Sequence, residues 1–282
     1  MFRLWVENEK GEKAELTNSP FFEVLEISGL LPDKAEIKTT PYSGGDGSVL
    51  NKATVKSKPI SIEIKPRFPI EENRQRLYDY FRLERKCTLY YKNENRNVKI
   101  SGTVEGYDGS LFEQMQTITV DILCTDPFFR DKTESATDMA TVKNMFKFPF
   151  AIAKEGIEFS SIDKELTQTI CNLGDAETGV IIELSAMGEV EKPIIYNVDT
   201  REFFGLNITM QAGDMIRINT NRFNKKVELF KNGESKNIVN DMIKGNRWFV
   251  LSVGKNQFTY KCDSGEENLN IKFRFYNLYR GV

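Results

Sequence analysis

The sequence predicts a mainly β protein in two domains: a β-rich N-terminal domain with one inserted helix, and a C-terminal β-sandwich. Apolar and polar residues alternate along most of the chain, turn signals recur at short intervals in the second half, and one helical stretch breaks the period. At roughly 100 to 200 residues per domain, a chain of 282 residues divides into two cores. The polar stretch Arg130–Lys143 follows a strongly apolar segment and marks the boundary, giving domains 1–135 and 136–282.

In the first domain Ile60, Ile62 and Ile64 alternate with Ser61 and Glu63, and Ile118, Val120, Ile122 and Cys124 alternate with Thr119, Asp121 and Leu123. Each run puts its apolar members on one face, the pattern of an antiparallel sheet with one buried side. Between them, Ile70 to Lys86 changes period, because Leu77, Tyr80, Phe81 and Glu84 follow helical spacing among Glu and Arg. Pro66 and Pro69 precede this run, and Cys87-Thr88-Leu89-Tyr90-Tyr91 returns to strand character, so the helix is an insertion between strands. The second domain reads as strands almost throughout, with alternation at Val180, Ile182 and Leu184, at Ile194, Tyr196 and Val198, and at Leu269, Ile271, Phe273 and Phe275. Ala212-Gly213-Asp214, Asn232-Gly233 and Asp263-Ser264-Gly265 supply turns between strands, and some eight short strands separated this way make a sandwich.

Composition narrows the chemistry. There is no histidine, which removes Ser-His-Asp and Cys-His catalysis and every histidine metal site. Cys87, Cys124, Cys171 and Cys262 form no C-x-x-C pair, so zinc knuckles and redox motifs are absent and the thiols read as buried. The N-terminal MFRLWVENEKGEK lacks the apolar core of a secretory signal, and no apolar run approaches a membrane span of roughly 20 residues. These readings describe a soluble protein made in a reducing cytoplasm, with no membrane partner. Residues 1–141 carry 20 basic and 23 acidic side chains and residues 142–282 carry 19 and 18, so neither half has the basic excess of a DNA-binding domain.

No motif assembles a catalytic, cofactor or metal site. Ser43-Gly44-Gly45-Asp46-Gly47-Ser48 could cradle a phosphate, but the Lys-Ser/Thr and the strand-to-helix context of a P-loop are missing, and a loop before the Val49–Ile64 strands accounts for it. Asp263-Ser264-Gly265-Glu266-Glu267-Asn268 departs from the calcium-loop spacing and reads as a hairpin tip. Glu183, Glu189 and Glu191 leave a carboxylate-only glycosidase formally open, although acids on the polar side of alternating strands ordinarily face solvent. Trp248, Phe249, Tyr260 and Tyr276 could stack on sugar rings, yet their alternating positions favour a core role. Phe146 to Ile152 reads as an extended edge or linker because of Pro149.

The order of features in the first domain resembles the phage distal tail proteins of siphophages and related prophages. A Gly44-Gly45-Asp46-Gly47 loop, the Ile60–Ile64 strand, a helix over Glu71–Lys86 and a strand closing on Thr125-Asp126-Pro127-Phe128-Phe129 follow one another as in that family's N-terminal tail-component domain. The second domain is similar to the family's C-terminal domain in Phe148-Pro149-Phe150, Asn172 to Gly179, Ala212-Gly213-Asp214 and the terminal Tyr279-Arg280-Gly281-Val282. Leu173 departs from the pattern, since the family often has a small or polar residue before Gly-Asp.

The resemblance implies a structural virion protein of the tail tip, or baseplate, made in the bacterial host cytoplasm and without enzymatic activity. It implies a homo-oligomeric ring, usually a hexamer, that joins the major tail tube protein to the tail-associated hub or lysin, with DNA passing through the channel unbound. The C-terminal domain would be a galectin-like sandwich. The rival reading is a lectin-like adhesin that takes host cell-wall saccharide through aromatics such as Trp248.

Overall fold

The computed structural model describes residues 2–112, 116–144, 160–164 and 167–282. It forms two compact units, Met1–Lys132 with Leu278–Val282, and Thr133–Asn277. The sequence placed one boundary at 135/136; the structure divides at 132/133 and sends the last five residues back to the first unit. Leu278–Tyr279 pairs there with Phe129–Asp131, a strand too short to leave a periodic signal.

The first unit is built on strands β1 (Arg3–Glu7), β2 (Lys13–Glu15), β3 (Phe22–Ser28), β4 (Glu36–Pro41), β5 (Ser48–Thr54) and β6 (Lys58–Pro66), then helix α1 (Ile70–Tyr80) and strands β7 (Lys86–Lys92), β8 (Asn97–Gly109), β9 (Ile118–Cys124) and β10 (Phe129–Asp131). The main path of its sheet runs β2-β1-β7-β8-β9-β6-β3, every neighbour antiparallel, while β4 and β5 pair only with each other. The alternation legible in the sequence is the pairing itself: Ile60, Ile62 and Ile64 stand opposite Ile122, Val120 and Ile118. All six are buried, together with Leu77 and Phe81 of the helix region. At about 1.5–3 kcal/mol for each large apolar side chain removed from water, this layer of helix on sheet supplies the unit's main driving force.

The helix stops at Tyr80, six residues before the sequence-based end at Lys86. Phe81 N–H closes the last turn on Leu77 O, and Arg85 N–H then bonds Arg82 O. Glu84 takes a left-handed φ of 61°, which ends helical geometry. The backbone at 84 and 85 bonds Val104 of β8 instead, so sheet pairing wins over continued helix.

The second unit is a sandwich of antiparallel sheets. One has six strands in spatial order Ser135–Asp138, Leu269–Phe275, Ile181–Ala186, Met215–Asn219, Lys226–Lys231 and Glu234–Asn237; the other has Thr167–Asn172, Gly254–Lys261, Ile194–Asn197 and Glu202–Gly205. Their inner faces share one core that includes Ile182, Leu184 and Phe273 from the first sheet and Ile195, Phe204 and Phe258 from the second. Phe204, Phe249, Phe258 and Phe273 form a chain of aromatic contacts with centroids 6.4, 5.3 and 5.0 Å apart, which ties the two sheets together. The Phe146–Ile152 segment read as an edge or linker lies outside the described residues.

Candidate assembly surface

The Gly-rich loop singled out in the sequence is the tip of a hairpin arm. Strands β4 and β5 pair from Glu36↔Thr54 to Pro41↔Ser48, and Tyr42 N–H bonds Gly47 O across the turn. Gly44 and Gly47 have φ of 87° and 106°, a conformation that side chains with a Cβ resist, although a Cβ at either would meet open space. Every residue of β4 is exposed, and in β5 only Thr54 is even half-buried. The arm nevertheless carries apolar side chains: Ile37 is 62 % exposed, Leu50 61 % and Tyr42 62 %. An isolated two-stranded hairpin is marginal in water, and an uncovered apolar one invites pairing with another chain.

The base of the arm is held tightly. Lys58, at the start of β6, is wholly buried; its Nζ donates to Leu31 O at 2.8 Å and lies 2.8 Å from Asp33 Oδ2, an ion-pair contact without hydrogen-bond alignment. The Phe129 ring centroid stands 5.6 Å from the same ammonium. Phe129 is the last residue of the Asp126-Pro127-Phe128-Phe129 motif. Asp126 shapes that turn by accepting from Phe128 N–H and from Arg130 Nη2, at 3.4 and 3.0 Å.

A second surface lies at the sheet edge. β3 ends the path of the main sheet, with a bulge between Val24 and Glu26 that leaves Leu25 exposed. Phe68, just before α1, is 90 % exposed. Arm and edge are two different surfaces on one unit.

Most of the remaining sequence candidates make ion pairs or ring contacts in the second unit. Glu183 accepts from Arg217 and Arg274 at 3.0–3.2 Å, within a cross-strand ladder of alternating sign: Asp138, Lys272, Glu183, Arg217 and Glu228 stand opposite one another in turn. The Arg274 guanidinium also holds Glu134, whose hydrogen bond raises its pKa above the ordinary arginine value. Glu191 sits beside Lys192, which pairs with Asp263 at 2.9 Å, while Glu189 accepts from Gln211. Held by two guanidinium groups, Glu183 braces neighbouring strands of the sheet. Trp248 packs edge-on against Phe204 at 5.3 Å, and the Lys225 ammonium lies 5.7 Å over its ring. Phe249 and Tyr260 are core residues. Burial pushes the Cys87 and Cys124 thiols up to about 12, far from the depressed range of reactive cysteines. Among the described residues no group of three or more Cys, Asp or Glu is placed to hold a metal, and no helix is long and apolar enough to cross a membrane.

The turn motifs of the second unit also have a physical account. Asn172 is buried: its Nδ2 donates to Ala176 O and Leu251 O, and its Oδ1 accepts from Gly174 N–H, fixing the loop that leads to Gly179. Asp214 is likewise buried and caps its own turn by accepting from Gln211 N–H at 2.9 Å. Sequence reasoning placed strands from Val49 onward but missed the hairpin arm, because Glu36–Pro41 has no buried face to signal its strand, and missed Lys58, since a lone lysine at a strand start carries no signal of burial.

Residues 173–276 match the family model described as siphovirus-type tail component, C-terminal domain. Among solved structures the fold is that of the SPP1 Dit protein, described as a paradigm of hub adsorption apparatus in phages infecting Gram-positive hosts. The TM-score is 0.70 at 13 % identity, covering 99 % of both chains. A chain of the phage P2 baseplate in its activated conformation matches over 100 % of both chains, with a TM-score of 0.55 at 12 % identity. No curated protein sequence matches the chain.

Proposed function

We propose, for a chain whose residues 173–276 match the siphovirus-type tail component model, that it is a structural subunit of the distal tail of a long non-contractile phage or prophage tail. Copies of its first unit close into a ring, a hexamer, around the DNA channel. The ring joins the tail tube to the hub or lysin of the adsorption apparatus. The galectin-like sandwich belongs to the same particle, and the subunit performs no catalysis.

The observation that carries this reading is the β4–β5 arm. Cyclic closure joins two different patches head to tail, and the first unit offers an exposed apolar hairpin together with an open sheet edge at β3. Charge agrees. By the structural boundary the first unit carries 21 basic and 21 acidic side chains, neutral where the sequence division made it mildly acidic. A unit without net positive charge adds little counterion-release affinity, which suits a channel that must let DNA pass.

Replacing both Ile37 and Leu50 with Asp tests the reading on the full chain. Both side chains are exposed, so thermal unfolding should hold within about 0.5 kcal/mol, as for surface substitutions generally, while mass photometry shows the multimer falling to single copies. Retention of the multimer by that variant would overturn the arm's role.

A further inference from the structure

We infer that residues 280–282, together with Lys58, are positioning residues that lock the root of the β4–β5 arm, so that the chain segment returning from the second unit sets where the assembly arm points. The consequence for assembly rests on the proposed ring; the geometry does not.

The arm leaves the first unit through two connections, Gly29–Ala35 from β3 and Val55–Ser57 into β6. The first is gripped from both sides. On one side Lys58 reaches Leu31 O and Asp33 from the foot of β6, joining the incoming connection to the outgoing one. On the other side Val282 N–H bonds Leu30 O at 3.1 Å. Gly281 is pressed so closely there that a Cβ would stand 2.6 Å from Pro32 Cδ, 2.9 Å from Pro32 N and 3.0 Å from Leu30 O. Its backbone is not left-handed, so glycine is required by this contact alone. Arg280 lies 5.5 Å from the Phe128 ring and lines, with Asp33, Val55, Pro127 and Phe128, a small recess between the two connections.

The strap is itself anchored. Leu278–Tyr279 pairs with β10, and Tyr279 is buried beneath the Arg96 guanidinium at 3.7 Å. Residues 280–282 thus reach the arm's root from a fixed point. A hairpin with no buried residue of its own takes its direction from its root, and here part of that root is supplied only after the whole second unit has been traversed. An arm that gains its direction last would keep early partial chains from docking prematurely.

Hydrogen exchange on the full chain tests this. Gly281→Ala should speed exchange of the amides at 30–36 and 55–58 by about tenfold or more while β8 and β9 keep their protection, the pattern of a local opening. Val282→Pro, which replaces the donated hydrogen with a ring carbon facing Leu30 O and leaves Gly281 unchanged, should do the same. Multimer formation by the two single variants should need about tenfold more protein, as expected when the competent arm orientation is about a tenth as populated. If Gly281→Ala also strips protection from β8 and β9, Val282→Pro decides. Unchanged exchange at the root in Val282→Pro would overturn the inference. Single copies in the unaltered protein would instead refute the ring, leaving the exchange comparison to judge the strap.

Discussion

Lys58 shows how one side chain can hold an element it does not belong to. Its ammonium is wholly buried and is satisfied by Leu31 O, Asp33 and the face of Phe129. Removing one partner of a buried pair leaves the other uncompensated, at a cost of about 3–5 kcal/mol, reduced here because Asp33 retains some solvent contact. Lys58→Met is expected to lower stability by about 2–3 kcal/mol in urea unfolding. The thiols give a second prediction. Burial raises Cys87 and Cys124 to about 12, so above pH 9 the unfolded chain gives up protons that the folded chain keeps. Stability should therefore fall with rising pH between about 9 and 12, with a slope of up to one proton per thiol. Alkylation of the native protein at pH 8 should modify exposed Cys171 and spare Cys87 and Cys124. A flat stability profile, or rapid labelling of Cys87, would contradict the burial assigned to them. The sequence reads the thiols as buried, which holds for Cys87, Cys124 and Cys262 and fails for Cys171, whereas the burial of Lys58 was not legible, since it depends on contacts such as that with Phe129, 71 positions away.

Elements were legible in proportion to how much they bury. Ile60–Ile64 and Ile118–Cys124 alternate because one face of each is sealed, and the structure pairs them in register. The sandwich strands reveal themselves for the same reason. Helix α1 was found, but its end was not, since the contest at residues 82–85 is settled by backbone bonds to Val104 on a strand still to come. The β4–β5 arm hid more completely: with no buried face, alternation has nothing to select, and only its Gly-rich tip and the strand from Val49 stood out. Trp248 belongs to this scale too. Its ring is part of the packing beside Phe204, so Trp248→Ala is expected to cost about 3 kcal/mol of stability, measured by chemical denaturation. A variant of unchanged stability that loses binding to cell-wall saccharide would instead favour the lectin-like reading.

At the scale of the whole molecule, the chain crosses from the first unit to the second and back, so five residues at the far end of the sequence complete a unit begun at residue 1. A single composition-based boundary cannot express such a path. The new boundary, which gives up Glu134 and Asp138, and the returning Arg280 together correct the charge argument, making the first unit neutral. Duplex DNA is accordingly expected to show no submicromolar, salt-sensitive binding, and a steep loss of affinity with added salt would reveal phosphate contacts that this charge balance does not supply.

The most direct measurement is the mass and outline of the purified full chain, by mass photometry with negative-stain imaging across a concentration series. Closed particles of six times the 32.4 kDa chain mass, with a central hole, are expected. Single copies at every concentration would contradict the account.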